Sequence, residues 1–184
     1  MRIIGGRWRR TPLSVPAVAG LRPTPDRVRE TLFNWLAHLL PSFDEVRGLD
    51  LFAGTGALGF ELASRGARSV TLVESHPAAL EQLRATRAKL DATQVEIVAG
   101  EAMAVIGRWP PSSFDLVLLD PPFESSLGAV ALIAAQRVLG EGGFVYYEAA
   151  APLAPAMVDE LGLTIVRAGV AGRVAFHLLG RAAA

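Results

Sequence analysis

The chain has 184 residues, 51% of them apolar and 20% charged, the size and balance of one domain with a sizeable core, which excludes a chain disordered in the main. It has no cysteine, so a disulfide framework, a thiolate metal site and thiol catalysis are excluded. Basic and acidic side chains match at 18 each, yet residues 1–30 hold seven arginines against Asp26 and Glu30, a local net charge of +5 that points to a polyanionic partner.

Arg2-Ile3-Ile4, Gly5-Gly6 and the run to Leu13 read as a short β-hairpin turning at the two glycines. This basic arm is expected to occupy 1–20, ahead of a domain over 21–184. Thr24-Pro25-Asp26 reads as a helix start, with Thr24 as cap and Pro25 in the first helical position. Val28, Leu32, Trp35, Leu36 and Leu39 then recur at helical spacing, and Pro41 ends the helix. From Val46 the pattern alternates. Apolar runs at 46–52, 69–74, 94–99, 114–120 and 143–148 predict buried strands. Stretches at 57–65, 77–90, 101–107 and 127–139 predict the helices between them. Gly66 is placed to stop the first of these and Pro77 to start the second. Two β-rich runs, 163–170 and 173–179, joined by Ala171-Gly172, predict an antiparallel hairpin. The expected fold is α/β: a doubly wound, mostly parallel sheet closed by an antiparallel C-terminal hairpin.

In such a sheet ligands bind beyond the carboxyl ends of the strands. After the first strand comes Asp50-Leu51-Phe52-Ala53-Gly54-Thr55-Gly56-Ala57-Leu58-Gly59. Gly54 and Gly56 permit a tight turn and close approach to a ligand. Gly54-x-Gly56-x-x-Gly59 also fits a dinucleotide fingerprint, a weak signal alone. Asp50 would repel a diphosphate and attract an ammonium or sulfonium centre. S-adenosylmethionine carries both. The plainer role for Asp50 is to bond loop amides. Glu74, ending the second strand, is suited to the hydroxyls of a ribose. After the third strand, Glu101 is either a contact for an adenine amine or a solvated first-turn acid. The candidate cofactor set is Asp50, Phe52, Ala53, Gly54, Thr55, Gly56, Glu74, Glu101 and Ala102, together with Thr24.

The fourth strand runs into Asp120-Pro121-Pro122-Phe123, the most specific signal in the chain. Two prolines remove two N–H donors and stiffen the backbone. A carboxylate beside a fixed carbonyl is a double acceptor, suited to an exocyclic amine with two hydrogens to give. Phe123 is placed to stack on the ring that bears it. These four are the candidate catalytic residues. Arg2, Arg7, Trp8, Arg9, Arg10, Arg22, Arg27 and Arg29 are the candidate residues for the polyanionic partner.

Asp120-Pro121-Pro122-Phe123 is one form of the Asp/Asn-Pro-Pro-aromatic motif of S-adenosylmethionine-dependent amino-methyltransferases. The chain further resembles one family, the bacterial 16S ribosomal RNA guanine-N2 methyltransferases of the RsmD type. The resemblance rests on Arg2-Ile3-Ile4-Gly5-Gly6-x-Trp8-Arg9, on the run from Leu21-Arg22-Pro23-Thr24 to Trp35-Leu36, on Leu49-Asp50-x-Phe52-Ala53-Gly54-x-Gly56-Ala57-Leu58-Gly59, on the Asp120 tetrapeptide, and on Val170-Ala171-Gly172-x-Val174-Ala175. It implies a Rossmann-like methyltransferase fold, S-adenosylmethionine as cofactor, and 16S ribosomal RNA as partner, free or within an assembling small subunit. It also implies methyl transfer to a guanine N2. The residues themselves imply only an amine-shaped acceptor site, a cofactor loop and a basic arm.

Three other readings stay open on the residues: an amino-methyltransferase for adenine N6, an NAD-dependent oxidoreductase, and a non-catalytic RNA-binding assembly factor. The oxidoreductase has no use for Asp50 or the tetrapeptide. The assembly factor would have no need to keep the tetrapeptide. No metal site is expected from three scattered histidines. No apolar run approaches the length of a membrane span, and no signal-peptide core precedes the arm. A monomer in the cytoplasm is the expectation.

Overall fold

The computed structural model describes residues 1–15, 24–122 and 127–181. The expected positions of Arg22 and Phe123 lie outside these residues.

Among the described residues thirteen elements follow in chain order: α1 (Asp26–Leu39), β1 (Arg47–Asp50), α2 (Ala57–Ser64), β2 (Ser69–Glu74), α3 (Pro77–Leu90), β3 (Val95–Ala99), α4 (Ala102–Ile106), β4 (Phe114–Leu119), α5 (Leu127–Val138), β5 (Leu139–Ala149), α6 (Pro155–Glu160), β6 (Leu163–Ala171) and β7 (Val174–Arg181). The strands form one sheet in the order β3-β2-β1-β4-β5-β7-β6. β1 to β5 pair in parallel, and β7 runs antiparallel to both β5 and β6. The chain leaves β1 first toward β2 and β3, then returns to lay β4 on the other side. The crevice between β1 and β4 is thus the topological switch point, where ligands bind in open α/β sheets.

Two apolar layers sandwich the sheet. On one face Leu72, Leu116, Leu118, Tyr146 and Phe176 pack with Leu32 and Leu36 of α1, Phe60 and Leu62 of α2, and Leu83 of α3. On the other, Leu49, Val117, Leu119 and Val145 pack with α4, α5 and α6. Leu116 and Leu118 face one layer and Val117 and Leu119 the other, the period of two that a strand buried on both sides requires.

Four local readings need correction. The start of α1 is capped by Pro25 without any side-chain cap bond; Thr24 spends its hydroxyl elsewhere. The C-terminal turn is Gly172-Arg173, since Ala171 already pairs with Val174. The N-terminal hairpin does not turn at Gly5-Gly6. Arg2 bridges Pro12, and the loop between them closes through Ile3 N–H to the Thr11 carbonyl and Arg10 N–H to the Ile3 carbonyl. α6, unforeseen in the sequence, carries Pro155 in its first turn and buries Val158.

The hairpin is also built into the domain. Ile3, Trp8 and Leu13 belong to the same apolar layer as α1 and α2. Glu61 of α2, fully buried, accepts the backbone N–H groups of Ile4 and Gly5 at 2.6 and 2.8 Å. The Ser64 hydroxyl donates to the Gly5 carbonyl and accepts from Trp8 N–H.

Candidate functional site

The sheet alternation continues to the strand ends and sets acids there. Asp50 ends β1 and pairs in register with Leu72 of β2 and Leu118 of β4. Glu74 and Asp120 each stand two residues further along those strands. All three therefore share the face covered by α1, α2 and α3, at the carboxyl edge of three adjacent strands. Strand spacing separates neighbouring members laterally by about 4.8 Å.

Asp50 is 1% exposed and sits beneath the loop that follows it. Its Oδ2 accepts the Gly59 N–H at 3.0 Å, and the Phe52 N–H also bonds to it. It organises the loop, the plainer of its two expected roles, and it places a buried carboxyl at the strand end. Burial raises its pKa to about 7, with the Glu74 charge adding to the rise and the two N–H bonds opposing it. Such a carboxyl is stabilised in its ionised form by a cationic ligand.

The loop makes a cradle for backbone contact. Gly54 and Gly56 both have positive φ, 52° and 75°. Gly56 heads α2, and a Cβ on it would meet the Phe60 ring at 2.6 Å. A Cβ on Gly59 would run into Leu72, so the helix lies close on the sheet. Glu74 Oε2 accepts the Gly54 N–H at 2.8 Å, while Oε1 accepts from Ser75 and His76. Its carboxylate is fixed by three amides beside the loop. Phe52 is half-buried, and Ala53, Thr55 and Ala102 are buried. Thr55 donates its hydroxyl to the Met1 sulfur at 3.6 Å, which ties the chain's first residue to the loop. Glu101 is exposed at the head of α4 and makes no cap bond. These donors and acceptors, with a buried acid in want of a cation, fit S-adenosylmethionine.

Asp120 is half-buried at the end of β4, followed by buried Pro121 and exposed Pro122. Thr24 donates its hydroxyl to Asp120 Oδ2 at 3.0 Å. Thr24, grouped with the cofactor residues from the sequence, is thereby joined to the candidate catalytic tetrapeptide. It holds the Asp120 carboxylate at a chosen rotation.

The basic set divides. The side chains of Arg2, Arg7, Arg9, Arg10 and Arg27 are exposed. Arg29 is a correction: it is fully buried, bonded to the Arg2 carbonyl and Asp26, and 3.7 Å from Glu61. Its Nε and Nη1 have no hydrogen-bond partner among the described residues. It ties α1 to α2 and the hairpin and cannot meet a phosphate. Trp8 is a correction too. It is buried in the layer under the hairpin, with Arg7 over its ring at 5.9 Å, and offers no open face to a base. The signal for Arg29 lay in the sequence, because Arg29, Leu32, Phe33 and Leu36 fall on one helical stripe. Its partner Glu61 stands alone among apolar residues in α2.

Known proteins share this arrangement. A family model described as conserved hypothetical protein 95 matches residues 1–180. The ribosomal RNA small subunit methyltransferase D of Escherichia coli (strain K12) is 40% identical over 189 residues, spanning 100% of this chain and 91% of that protein. The protein of the same name from Haemophilus influenzae is 39% identical over 154 residues, spanning 80% of this chain and 78% of that protein. The solved structure of the yhhF protein of Escherichia coli superposes with a TM-score of 0.84 at 39% identity, covering 100% of this chain and 99% of that one. The match runs from the hairpin that α2 holds, through the cradle and Asp120, into β7, and on that extent the chain belongs to the RsmD-type family of ribosomal RNA small-subunit methyltransferases.

Proposed function

We propose that the protein transfers the methyl group of S-adenosylmethionine to the exocyclic N2 amine of a guanine in 16S ribosomal RNA. One observation carries the reading. At the switch point of the sheet, Asp120 with its two prolines stands one strand from a glycine cradle over a buried acid. Family membership supports the ribosomal RNA substrate.

Asp50, Gly54, Gly56 and Glu74 would hold the cofactor, and Glu74 would serve its ribose hydroxyls. When bound, S-adenosylmethionine supplies an electrophilic methyl group on a sulfonium. The chain's own residues prepare the other partner. A ring amine is a poor nucleophile because its lone pair is delocalised. Asp120 and the Pro121 carbonyl accept the two N2 hydrogens and draw the nitrogen toward a tetrahedral shape. Thr24 keeps the carboxylate from rotating away. Alignment of this kind is worth roughly 7–11 kcal/mol. The nitrogen's surplus proton leaves to Asp120 or to water. The base is turned out of its RNA context to arrive, with Phe123 stacking on it and the exposed arginines of the hairpin on nearby phosphates.

The protein acts as a monomer in the cytoplasm, where small subunits assemble. Among the described residues no helix is long and apolar enough to cross a membrane.

Mass mapping of 16S RNA from cells lacking this protein should show one guanine unmethylated, restored by the wild-type chain. Asp120→Ala should restore nothing. In single turnover it should be slowed by about 100-fold or more, with S-adenosylmethionine affinity within about threefold of wild type. A complete methylation map in the deleted strain would overturn the reading. Presenting naked RNA and small subunits side by side identifies the form that is methylated.

A further inference from the structure

A fourth acid completes the edge. β5 too carries an acid near its carboxyl end, Glu148, one residue before its last. This residue is 2% exposed, and Tyr146, on the same face two residues earlier, donates its hydroxyl to Glu148 Oε1 at 2.8 Å. Leu118 pairs with Tyr146 in register. Continuing two residues along both strands puts Glu148 beside Asp120, on the side away from β1. The Asp120 and Glu148 charges both act on the Tyr146 hydroxyl, so the three groups share one electrostatic neighbourhood. Glu148 is thus a buried carboxylate at the carboxyl edge of the sheet, held by Tyr146. The methyl-transfer scheme built on Asp120 does not use it.

We propose that Glu148, held by Tyr146, is the specificity-determining residue of the acceptor site, selecting guanine among the bases that carry an exocyclic amine. The inference rests on the amino-methyltransferase reading and concerns which amine is admitted. Asp120 and the Pro121 carbonyl recognise two amine hydrogens, which guanine, adenine and cytosine all present. What differs is the neighbouring ring position. In guanine the C2 amine lies between an N1–H donor and the N3 acceptor. In adenine the amine is flanked by the N1 lone pair and in cytosine by the N3 lone pair, with no ring N–H beside it. A second carboxylate one strand beyond Asp120 attracts the guanine N1–H and repels those lone pairs. It also orients guanine, N1 toward β5 and N3 away. At about the spacing of adjacent strands, in a low-dielectric floor, a charge does this without touching the base. The Tyr146 bond fixes the plane of the carboxylate.

The test uses a small-subunit RNA fragment carrying the guanine that the wild-type protein methylates. A second fragment carries 2-aminopurine there, which keeps the C2 amine but has a lone pair at N1. Glu148→Gln keeps the size and an oxygen for the Tyr146 hydroxyl, removes the charge, and offers an N–H to a lone pair. Wild type should favour guanine over 2-aminopurine in kcat/KM by about 100-fold or more. Glu148→Gln should shrink that ratio by at least about tenfold, whatever happens to the absolute rate. The double ratio cancels the other differences between the two bases. An unchanged ratio, with both rates lowered together or neither, overturns the proposal and leaves Glu148 a residue of the fold. Should Glu148→Gln fail to fold, Tyr146→Phe decides: it keeps the charge, loses its fixing bond, and should narrow the ratio by about threefold, an unchanged ratio again overturning the proposal. Failure of the wild-type protein to methylate the guanine fragment or any small-subunit RNA brings down the methyltransferase reading itself, and this inference with it.

Discussion

Asp50 carries its charge at a cost near neutral pH, because burial lifts its pKa to about 7 and the nearby Glu74 charge adds to it. Between about pH 4 and 7 the native carboxyl keeps a proton that the unfolded chain has released. Its contribution to stability is whole below that window and falls as pH rises through it. Asp50→Asn should abolish this fall, so the variant gains on wild type with rising pH in chemical denaturation. Binding moves oppositely. A cation favours the ionised carboxyl, so S-adenosylmethionine affinity should climb with pH toward about 7 and level above it, by up to about tenfold per pH unit. In Asp50→Asn calorimetry should find weaker and flatter binding; an unaltered profile would take Asp50 out of the cofactor site. Asp50, Glu74 and Asp120 were legible in the sequence because each is an acid ending an apolar run. Glu148 has the same signature, in Phe144-Val145-Tyr146-Tyr147-Glu148, but it lacks a glycine or proline motif after it to draw notice. Arg29 and Trp8 were misread for another reason. A charge or a large ring near basic residues suggests a surface, and only tertiary contacts show which side of the helix or hairpin it occupies.

At the level of elements, strand and helix positions were legible where the period was sustained. β2 and α3 fall on the residues expected, since six apolar-rich residues ending in an acid and a proline-started amphipathic run admit no other period. What escaped is short or held from outside. α6 has six residues and too few turns to display a period. The hairpin makes few ladder bonds of its own and takes its shape from α2. Glu61 carries that dependence. It joins two hairpin amides, Arg65 and, at 3.7 Å, Arg29. Glu61→Ala removes one of the two carboxylates beside the buried Arg29 guanidinium, which keeps Asp26 and the Arg2 carbonyl, and takes the acceptor from the partly buried Ile4 and Gly5 N–H groups, so it should cost about 3 kcal/mol in urea unfolding. Limited proteolysis should then cut within residues 1–13 before the rest of the chain. Glu61→Gln keeps the amide acceptor and should lose less. A hairpin as resistant in Glu61→Ala as in wild type would show that its apolar contacts alone hold it.

Across the whole molecule, α2 links the two ends of the proposed reaction. Its head is the glycine cradle, and its far half binds the hairpin, about 12 Å away for eight helical residues. Met1 returns to touch Thr55 at the cradle, and Arg2 lies 3.6 Å from Asp26 at the start of α1, where Thr24 leads to Asp120. The exposed arginines thus stand on the helix-covered face that also holds the acids, so in the proposed reaction RNA held by them would approach Asp120 over α1 and α2. Docking the hairpin's backbone leaves the guanidinium groups of Arg7, Arg9 and Arg10 in solvent, while Arg29 is spent inside. If the three exposed groups meet phosphates, each releases counterions on binding. Replacing all three with glutamine should flatten the slope of log affinity against log salt by about two units, at roughly 0.7 per phosphate on a single strand. S-adenosylmethionine affinity should stay where it was, because the cradle is formed by other residues. Arg29→Gln should behave differently, lowering stability without changing the slope beyond what partial unfolding explains. Filter binding of a small-subunit RNA fragment across a salt series measures both. A parental slope in the triple variant would mean that the hairpin's arginines are merely solvated and that RNA is held from another surface.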